Sequence, residues 1–184
     1  LWRIGNSPPA PRFNVVSKPN NWSNSVKRAA RSGSLTPTEQ ARIEYWTAFL
    51  AHAKSSGCPI RFRDPDPINW LKARSPIRGY HCELSVSIRD KYLEVCFGAT
   101  DESRITRLRS AYRANADTLR AKLGCDPVVY DDDRGRHYWI DVERHCNTAD
   151  RSDWPTQHQW LASTATQLFL ALAGLLDGSA PQSG

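Results

Sequence analysis

Residues 80–88 read Tyr80-His81-Cys82-Glu83-Leu84-Ser85-Val86-Ser87-Ile88. Apolar and polar side chains alternate from Cys82 to Ile88, which is the two-residue period of a half-buried β-strand. The polar turn Arg89-Asp90-Lys91 and the run Tyr92-Leu93-Glu94-Val95-Cys96-Phe97 follow. This stretch therefore predicts an antiparallel hairpin that turns one face toward a hydrophobic core.

A second hairpin is expected further along the chain. Val128-Val129-Tyr130 is followed by a polar turn over residues 131–135 and by the run His137-Tyr138-Trp139-Ile140-Asp141-Val142. Two adjacent hairpins predict a four-stranded antiparallel sheet, which is stable when helices cover one of its faces.

The clearest helix signal precedes the first hairpin. Thr36-Pro37-Thr38-Glu39 is a capping box with proline at the first helical position. Apolar residues then recur at helical spacing, and Gly57 is the expected C-cap. The apolar stripe consists of Ile43, Trp46, Phe49, Leu50 and Ala53.

Two further helices are expected, one between the hairpins and one after them. Ser103 is the predicted cap of the middle helix and Gly124 its stop, while Asp153 caps the last helix and Pro155 lies in its first turn. The apolar stripe of the middle helix consists of Ile105, Leu108, Tyr112, Ala116, Leu119 and Leu123. The core positions of the last helix are Trp160, Leu161, Leu168, Leu172, Leu175 and Leu176.

The expected architecture is an α+β fold in the order arm, α-ββ-α-ββ-α, with a four-stranded antiparallel sheet and the helices packed on one face. Residues 1–35 are interpreted as an extended N-terminal arm or linker from an upstream domain, residues 36–178 as a single α+β domain, and residues 179–184 as a tail. Proline and glycine interrupt residues 61–79, so irregular structure is expected there, with Trp70 tucked inward.

Composition is that of an ordinary globular chain, with 184 residues, 40% of them hydrophobic and 24% charged. The longest apolar stretch, residues 168–176, is far too short to span a bilayer, and no membrane partner is expected. No secretory signal is visible, and the five cysteines contain no C-x-x-C pair, which favours reduced thiols in a cytoplasmic protein. The chain starts at Leu1 and contains no methionine, so it is interpreted as a piece of a longer protein.

The residues present match poorly the requirements of three kinds of catalytic or metal site. Cys146, His145 and His137 form one loose cluster, whereas a structural zinc site needs two spaced pairs of ligands. Adjacent side chains on a strand point to opposite faces, so His145 and Cys146 would not meet as a base and a nucleophile. The run Asp131-Asp132-Asp133 lacks the alternating ligands of a calcium loop and is expected to be a solvated turn.

A metal-dependent nuclease of the PD-(D/E)XK type needs a carboxylate and a lysine two residues apart on a strand. The predicted strands offer Glu83, Glu94, Asp141 and Glu143, but no Glu-x-Lys lies on either hairpin. No catalytic residue, no metal and no cofactor are therefore expected within this chain.

Basic residues indicate an anionic partner. The net charge is +6, and Arg109, Arg113 and Arg120 fall on one flank of the middle helix at helical spacing. Such a stripe can follow a phosphate backbone, and it can also be a solvated face paired with Asp117, Asp101 and Glu102. The arm adds three basic residues that we also assign to nucleic acid, namely Lys27, Arg28 and Arg31.

Three aromatic residues are candidates for contact with a protein partner. Phe13 and Trp22 lie in the arm, and Trp70 lies in the proline-rich stretch. Exposed loop aromatics anchor partners, although they also pin loops to their own domain. The alternative to nucleic-acid binding is therefore a structural or oligomerisation domain that docks an upstream domain or a second chain through its arm.

The chain resembles an uncharacterised bacterial C-terminal domain found downstream of PD-(D/E)XK restriction-endonuclease-like domains. The resemblance rests on the junction from Trp2 to Trp22, which contains Ser7-Pro8-Pro9-Ala10-Pro11, and on Tyr45-Trp46-Thr47-Ala48-Phe49, Arg78-Gly79-Tyr80 and Asp153-Trp154 with Trp160. It implies a context of DNA handling, with defence against foreign DNA as one setting. It assigns no catalytic residue to these positions, because a nuclease motif would precede Leu1.

Overall fold

The computed structural model describes residues 35–132 and 134–178. The predicted arm and tail lie outside the described residues, apart from Leu35. So do five residues to which the sequence assigns roles: Phe13, Trp22, Lys27, Arg28 and Arg31.

The described chain forms three α-helices and five β-strands. The helices are α1 (Pro37–Ser55), α2 (Glu102–Leu123) and α3 (Trp154–Asp177), and a short 3-10 turn, Arg151–Asp153, leads into α3. The strands are β1 (Trp70–Ala73), β2 (His81–Ser87), β3 (Tyr92–Ala99), β4 (Val128–Asp131) and β5 (Tyr138–His145). Mixed helices and strands confirm the predicted α+β class.

The strands form one sheet in the order β1-β2-β3-β5-β4, and all neighbours are antiparallel. Both predicted hairpins are present, and the pairing of β3 with β5 joins them. The expected number of four strands is wrong, because β1 pairs with β2 as a fifth strand at the edge.

The extra strand also corrects the expectation for Trp70. Leu71 points into the core and is 2% exposed, so Trp70 must point to the opposite face, where it is 38% exposed. The strand was not predicted because its four residues are too few to show a period and prolines lie on both sides of it. Trp70 is therefore not tucked inward.

One face of the sheet is the core face. The register aligns Leu84, Val95 and Val142 across three strands, and all three are buried. Helix α3 lies at the centre of this core, with Leu168, Phe169 and other residues fully buried. The helical stretch around α3, residues 151–177, is long and apolar enough to cross a membrane, and half of its most apolar window is buried within this fold.

Local capping explains where the helices begin. Thr36 and Glu39 form the predicted capping box of α1, with Thr36 N–H donating to Glu39 Oε2 at 2.8 Å. The expected cap of α2 is wrong: Asp101, not Ser103, is the N-cap and accepts from Arg104 N–H at 3.1 Å. Ser103 instead donates its hydroxyl hydrogen to Asp101 at 2.8 Å. Gly124 ends α2 with a left-handed φ of 70°, as predicted.

Candidate nucleic-acid interface

The predicted basic flank of α2 is largely engaged in ion pairs within the domain. Arg109 pairs with Asp131, and Arg120 pairs with Asp117 and Asp126. Arg113 is exposed and has no ion pair within the described part of the chain. The assignment of this flank to phosphate stays a prediction, with only one of its three guanidinium groups unpaired.

A second group of arginines lines two adjoining pockets at one end of the sheet. The first pocket has a volume of about 580 Å³ and is lined by Arg61, Arg74 and Arg78 together with Ile77 and Leu170. The second has a volume of about 670 Å³ and is lined by Arg78, Arg104 and Arg107. The pockets share Pro76, Ile77 and Arg78, so one loop carries the boundary between them. We call this surface the arginine pockets.

Backbone pairing beside β1 positions the arginines of the first pocket. Phe62 forms an isolated bridge with Ala73, and Arg74 N–H donates to Arg61 O at 2.7 Å. These bonds place Arg61 and Arg74 opposite each other on neighbouring extended segments. Within the following loop, the Ser75 hydroxyl donates to Ile77 O at 2.7 Å and closes a tight turn just before Arg78.

A glycine permits the close packing of the second pocket. Gly79 has a φ of +89°, and a Cβ added there would lie 2.1 Å from Arg104 Nε. Arg104 is held in this position by Asp101, which accepts from its Nη1 at 2.5 Å. Arg107 donates to the carbonyl oxygen of Leu176 at the end of α3, where helix carbonyls lack intrahelical partners.

The charges of the arginine pockets are unevenly compensated. Arg104 is paired with Asp101, and the pairing raises the pKa of the guanidinium further. Arg61, Arg74 and Arg78 are exposed, and the described part of the chain contains no ion pair to any of them. Within the described structure, these three side chains are therefore unpaired cations on a concave surface.

The net positive charge of the chain resides in its N-terminal segment. Residues 1–34 contain six of the 25 basic residues and none of the 19 acidic ones. Residues 35–184 consequently carry 19 of each sign. Residues 35–184 therefore have no net charge, and the unpaired arginines of the pockets are a local feature of their surface. Arg61, Arg74 and Arg78 were not predicted as binding residues, because they lie in a stretch for which irregular structure was expected.

Acidic residues gather on the face of the sheet opposite the core, which we call the open face. Ligand atoms of Glu94, Cys96 and Asp141 all lie within 4.8 Å of one another. Burial raises the pKa of Asp141 to about 7, and the negative charge of Glu94 adds to this effect. Burial likewise raises the pKa of Glu94. Both carboxylates are among the acidic residues that the predicted strands offer, but their sequence pattern does not show that β3 and β5 are neighbours.

The alternative sites considered from sequence do not assemble. Cys146, His145 and His137 form no ligand cluster among the described residues. Cys146 and His145 lie at the end of β5, and all five cysteines are free thiols. Asp132 pairs with Arg136 at 3.1 Å in the β4–β5 turn, and Asp133 lies outside the described residues.

Fold and site together define an α+β domain with one helix-covered sheet face, an arginine-lined concave end and an acidic open face. The chain belongs to the family described as Domain of unknown function (DUF4268), whose sequence profile matches residues 41–175. No curated protein and no solved structure matches the chain significantly.

Proposed function

We propose that this domain is a non-catalytic nucleic-acid-binding module that holds or positions DNA through the arginine pockets. The observation that carries the proposal is the convergence of Arg61, Arg74 and Arg78, exposed and unpaired within the described structure, on one concave surface. A guanidinium group presents planar paired donors that match phosphate oxygens.

The N-terminal segment supports the same partner. Residues 1–34 carry six basic and no acidic residues, including the predicted contacts Lys27, Arg28 and Arg31. A segment of one charge sign adds sequence-independent affinity for a polyanion, because each neutralised phosphate releases counterions. The arginine pockets would then orient the nucleic acid on the domain, while the segment raises the association rate.

The resemblance extends the proposal to the parent protein. We propose that the domain serves a nuclease-like segment upstream in the same chain, in defence against foreign DNA. DNA held by the arginine pockets would be delivered to that segment. The proposal needs no catalytic residue in residues 1–184.

The test is fluorescence anisotropy of labelled duplex and single-stranded DNA with the full chain at several salt concentrations. The variant replaces Arg61, Arg74 and Arg78 with glutamine. Each lost phosphate contact removes about 0.9 from the slope of log K against log salt, so three lost contacts flatten the slope by about 2.7. The matched control replaces three basic residues at the opposite end of the sheet: Arg89, Lys91 and Arg144.

The outcomes separate the two basic surfaces. Equal weakening by the pocket variant and by the control would mean that only net charge matters, and the pocket assignment would fail. Weakening by an Arg109, Arg113 and Arg120 triple variant, with the pocket variant unchanged, would move the interface to the flank of α2. Absence of binding at low salt would end the nucleic-acid proposal.

A second candidate function, self-association, is favoured by the exposed edge strand β4. All four of its residues are exposed, with Val128 at 49% and Tyr130 at 54%. Among the described strands, β4 has a neighbour on one side only, and such an edge with apolar side chains is a template for strand addition by a second chain. Replacing Val129 with lysine would reduce dimerisation in sedimentation equilibrium, whereas a wild-type monomer at high concentration would contradict this candidate.

A further inference from the structure

Three side chains with metal-binding atoms converge on the open face from two neighbouring strands. Cys96 on β3 lies directly opposite Asp141 on β5, and Glu94 lies two residues before Cys96 on the same face. Their ligand atoms, one sulfur and two carboxylate oxygens, lie within 4.8 Å of one another. Asp141 follows Cys96 by 45 residues in the sequence. The antiparallel pairing of β3 with β5 brings it next to Glu94 and Cys96.

The group is buried to an extent unusual for acidic side chains. Cys96 is 8% exposed, and both Glu94 and Asp141 are largely covered. No lysine, arginine or histidine within the described residues forms an ion pair with either carboxylate. Buried carboxylates without a cationic partner are costly, and proteins compensate them by a proton, a cation or a metal ion.

An independent feature of Asp141 indicates a missing partner. Its Oδ1 atom is fully buried and has no hydrogen-bond partner within the described structure. A buried acceptor without a partner forfeits its hydration, which costs about 1–3 kcal/mol, and more when the group is charged. Asp141 belongs to the same cluster as Cys96 and Glu94, and an ion bound at the cluster is a partner of the kind that this carboxylate lacks.

We propose that Glu94, Cys96 and Asp141 form a binding site for a divalent metal ion of the zinc class. Thiolate is a soft ligand that favours zinc over magnesium or calcium, while carboxylate oxygen is also a common zinc ligand. Zinc binds sulfur at about 2.3 Å and oxygen at about 2.0 Å. Ligand atoms that lie within 4.8 Å of one another therefore reach a common ion after small side-chain rotations.

The neighbourhood of the site adds negative charge, and no fourth close ligand is present among the described residues. Glu83 lies opposite Cys96 and Glu143 lies opposite Glu94 in the register of the sheet. Three protein ligands leave one tetrahedral position for water or another molecule, as in zinc sites that bind substrates. The site stands apart from the arginine pockets and does not depend on nucleic-acid binding.

The first test is zinc binding by the full chain after treatment with a chelator, measured by isothermal titration calorimetry. We expect one zinc ion per chain and a loss of affinity of at least about tenfold in Cys96→Ser and in Asp141→Asn. The matched control is Cys146→Ser, because Cys146 is a free thiol outside the cluster. Absence of stoichiometric binding by the wild-type chain, or unchanged binding by Cys96→Ser, would overturn the site.

Cobalt provides a direct report on the sulfur ligand. A thiolate bound to Co²⁺ should give a sulfur-to-cobalt charge-transfer band that disappears in Cys96→Ser and persists in Cys146→Ser. A band that persists without Cys96 would place the metal elsewhere and contradict the proposal. Circular dichroism checks the fold of each variant, and Glu94→Gln supplies a second ligand variant if Cys96→Ser unfolds. Zinc should raise the Tm of the wild-type chain but not that of a folded ligand variant.

Discussion

Arg109 of α2 and Asp131 of β4 form an ion pair through two parallel hydrogen bonds. Arg109 Nε lies 2.9 Å from Asp131 Oδ2, and Nη2 lies 2.6 Å from Oδ1. The guanidinium carbon also lies 5.3 Å from the ring centroid of Tyr138 on β5. One side chain thus joins the middle helix to both strands of the second hairpin.

We expect Arg109→Lys to destabilise the domain slightly and to loosen β4. Lysine keeps the charge but has no planar fork for two parallel bonds and stacks less well on an aromatic ring. Urea unfolding and hydrogen exchange of the β4 amides would report the two effects. Asp131→Asn in a double-mutant cycle is the control, and strictly additive effects would show that the pair contributes nothing.

Substitution of Gly79 should disturb the second arginine pocket. Alanine there would have both an unfavourable φ of +89° and a Cβ 2.1 Å from Arg104 Nε. Gly135→Ala is a matched control, because Gly135 has a φ of +65° and nothing within 4 Å of an added Cβ. We expect Gly79→Ala to displace the guanidinium of Arg104 from Asp101 and to lower Tm slightly more than the control, because the end of the Arg104 side chain can move away from the added methyl group. Equal Tm values for the two variants would contradict the close packing of Arg104.

Buried His158 should make the domain less stable as the pH falls below neutrality. Its ring centroid lies 4.8 Å from that of Tyr45, and its Nε2 is buried without a partner in the described structure. Burial, with a smaller effect of His52, lowers the pKa of His158 from 6.5 to about 4. Between these pH values the unfolded chain binds a proton that the folded chain does not. The free energy of unfolding therefore decreases as the pH is lowered through this range, by on the order of 2 kcal/mol.

The measurement for His158 is the free energy of unfolding from pH 7 to pH 4.5, compared with His158→Gln. The variant should lose stability less steeply over this range. Asp141 and Glu94 act in the opposite direction, because their raised pKa values let the folded chain bind more protons than the unfolded chain. The comparison isolates His158 because both proteins retain these carboxyl groups. Identical slopes would contradict the prediction.

Two leucines of α3 should differ strongly in their contribution to stability. Leu168 is fully buried beneath the sheet, whereas Leu170 is 46% exposed. Leu168→Ala should lower the free energy of unfolding by about 2–5 kcal/mol, because it leaves a cavity in the core. Leu170→Ala should change it by less than about 0.5 kcal/mol. Denaturant unfolding measures both, and similar losses would mean that α3 does not pack as described.

Local patterns predicted most of the elements but not all their limits. The Thr36 capping box, the Gly124 stop and the alternation from Cys82 to Ile88 depend on near neighbours, so they are readable from sequence. The four residues of β1 are too few for a period to show, and the strand exists because β2 offers an edge to pair with. The choice between Asp101 and Ser103 as helix cap likewise depended on geometry, since both residue types can serve as caps.

The candidate sites were less predictable than the elements. The sequence singled out Arg109, Arg113 and Arg120 because helical spacing aligns them, but it does not show that Asp131 and Asp126 would meet two of them. Arg61, Arg74 and Arg78 share no period, and only the pairing beside β1 and the turn before Gly79 bring them to one surface.

The sequence by itself determined the α+β class, the two hairpins and the three helices, because capping, turns and periodicity act over a few residues. Tertiary structure decided which distant charges meet, such as those of Arg109 and Asp131, and which carboxylates share a buried site with a thiol. Asp141 and Cys96 are distant along the chain, and they become neighbours through the register of β3 against β5. Such proximity depends on long-range strand pairing, for which a local pattern of residues carries no signal.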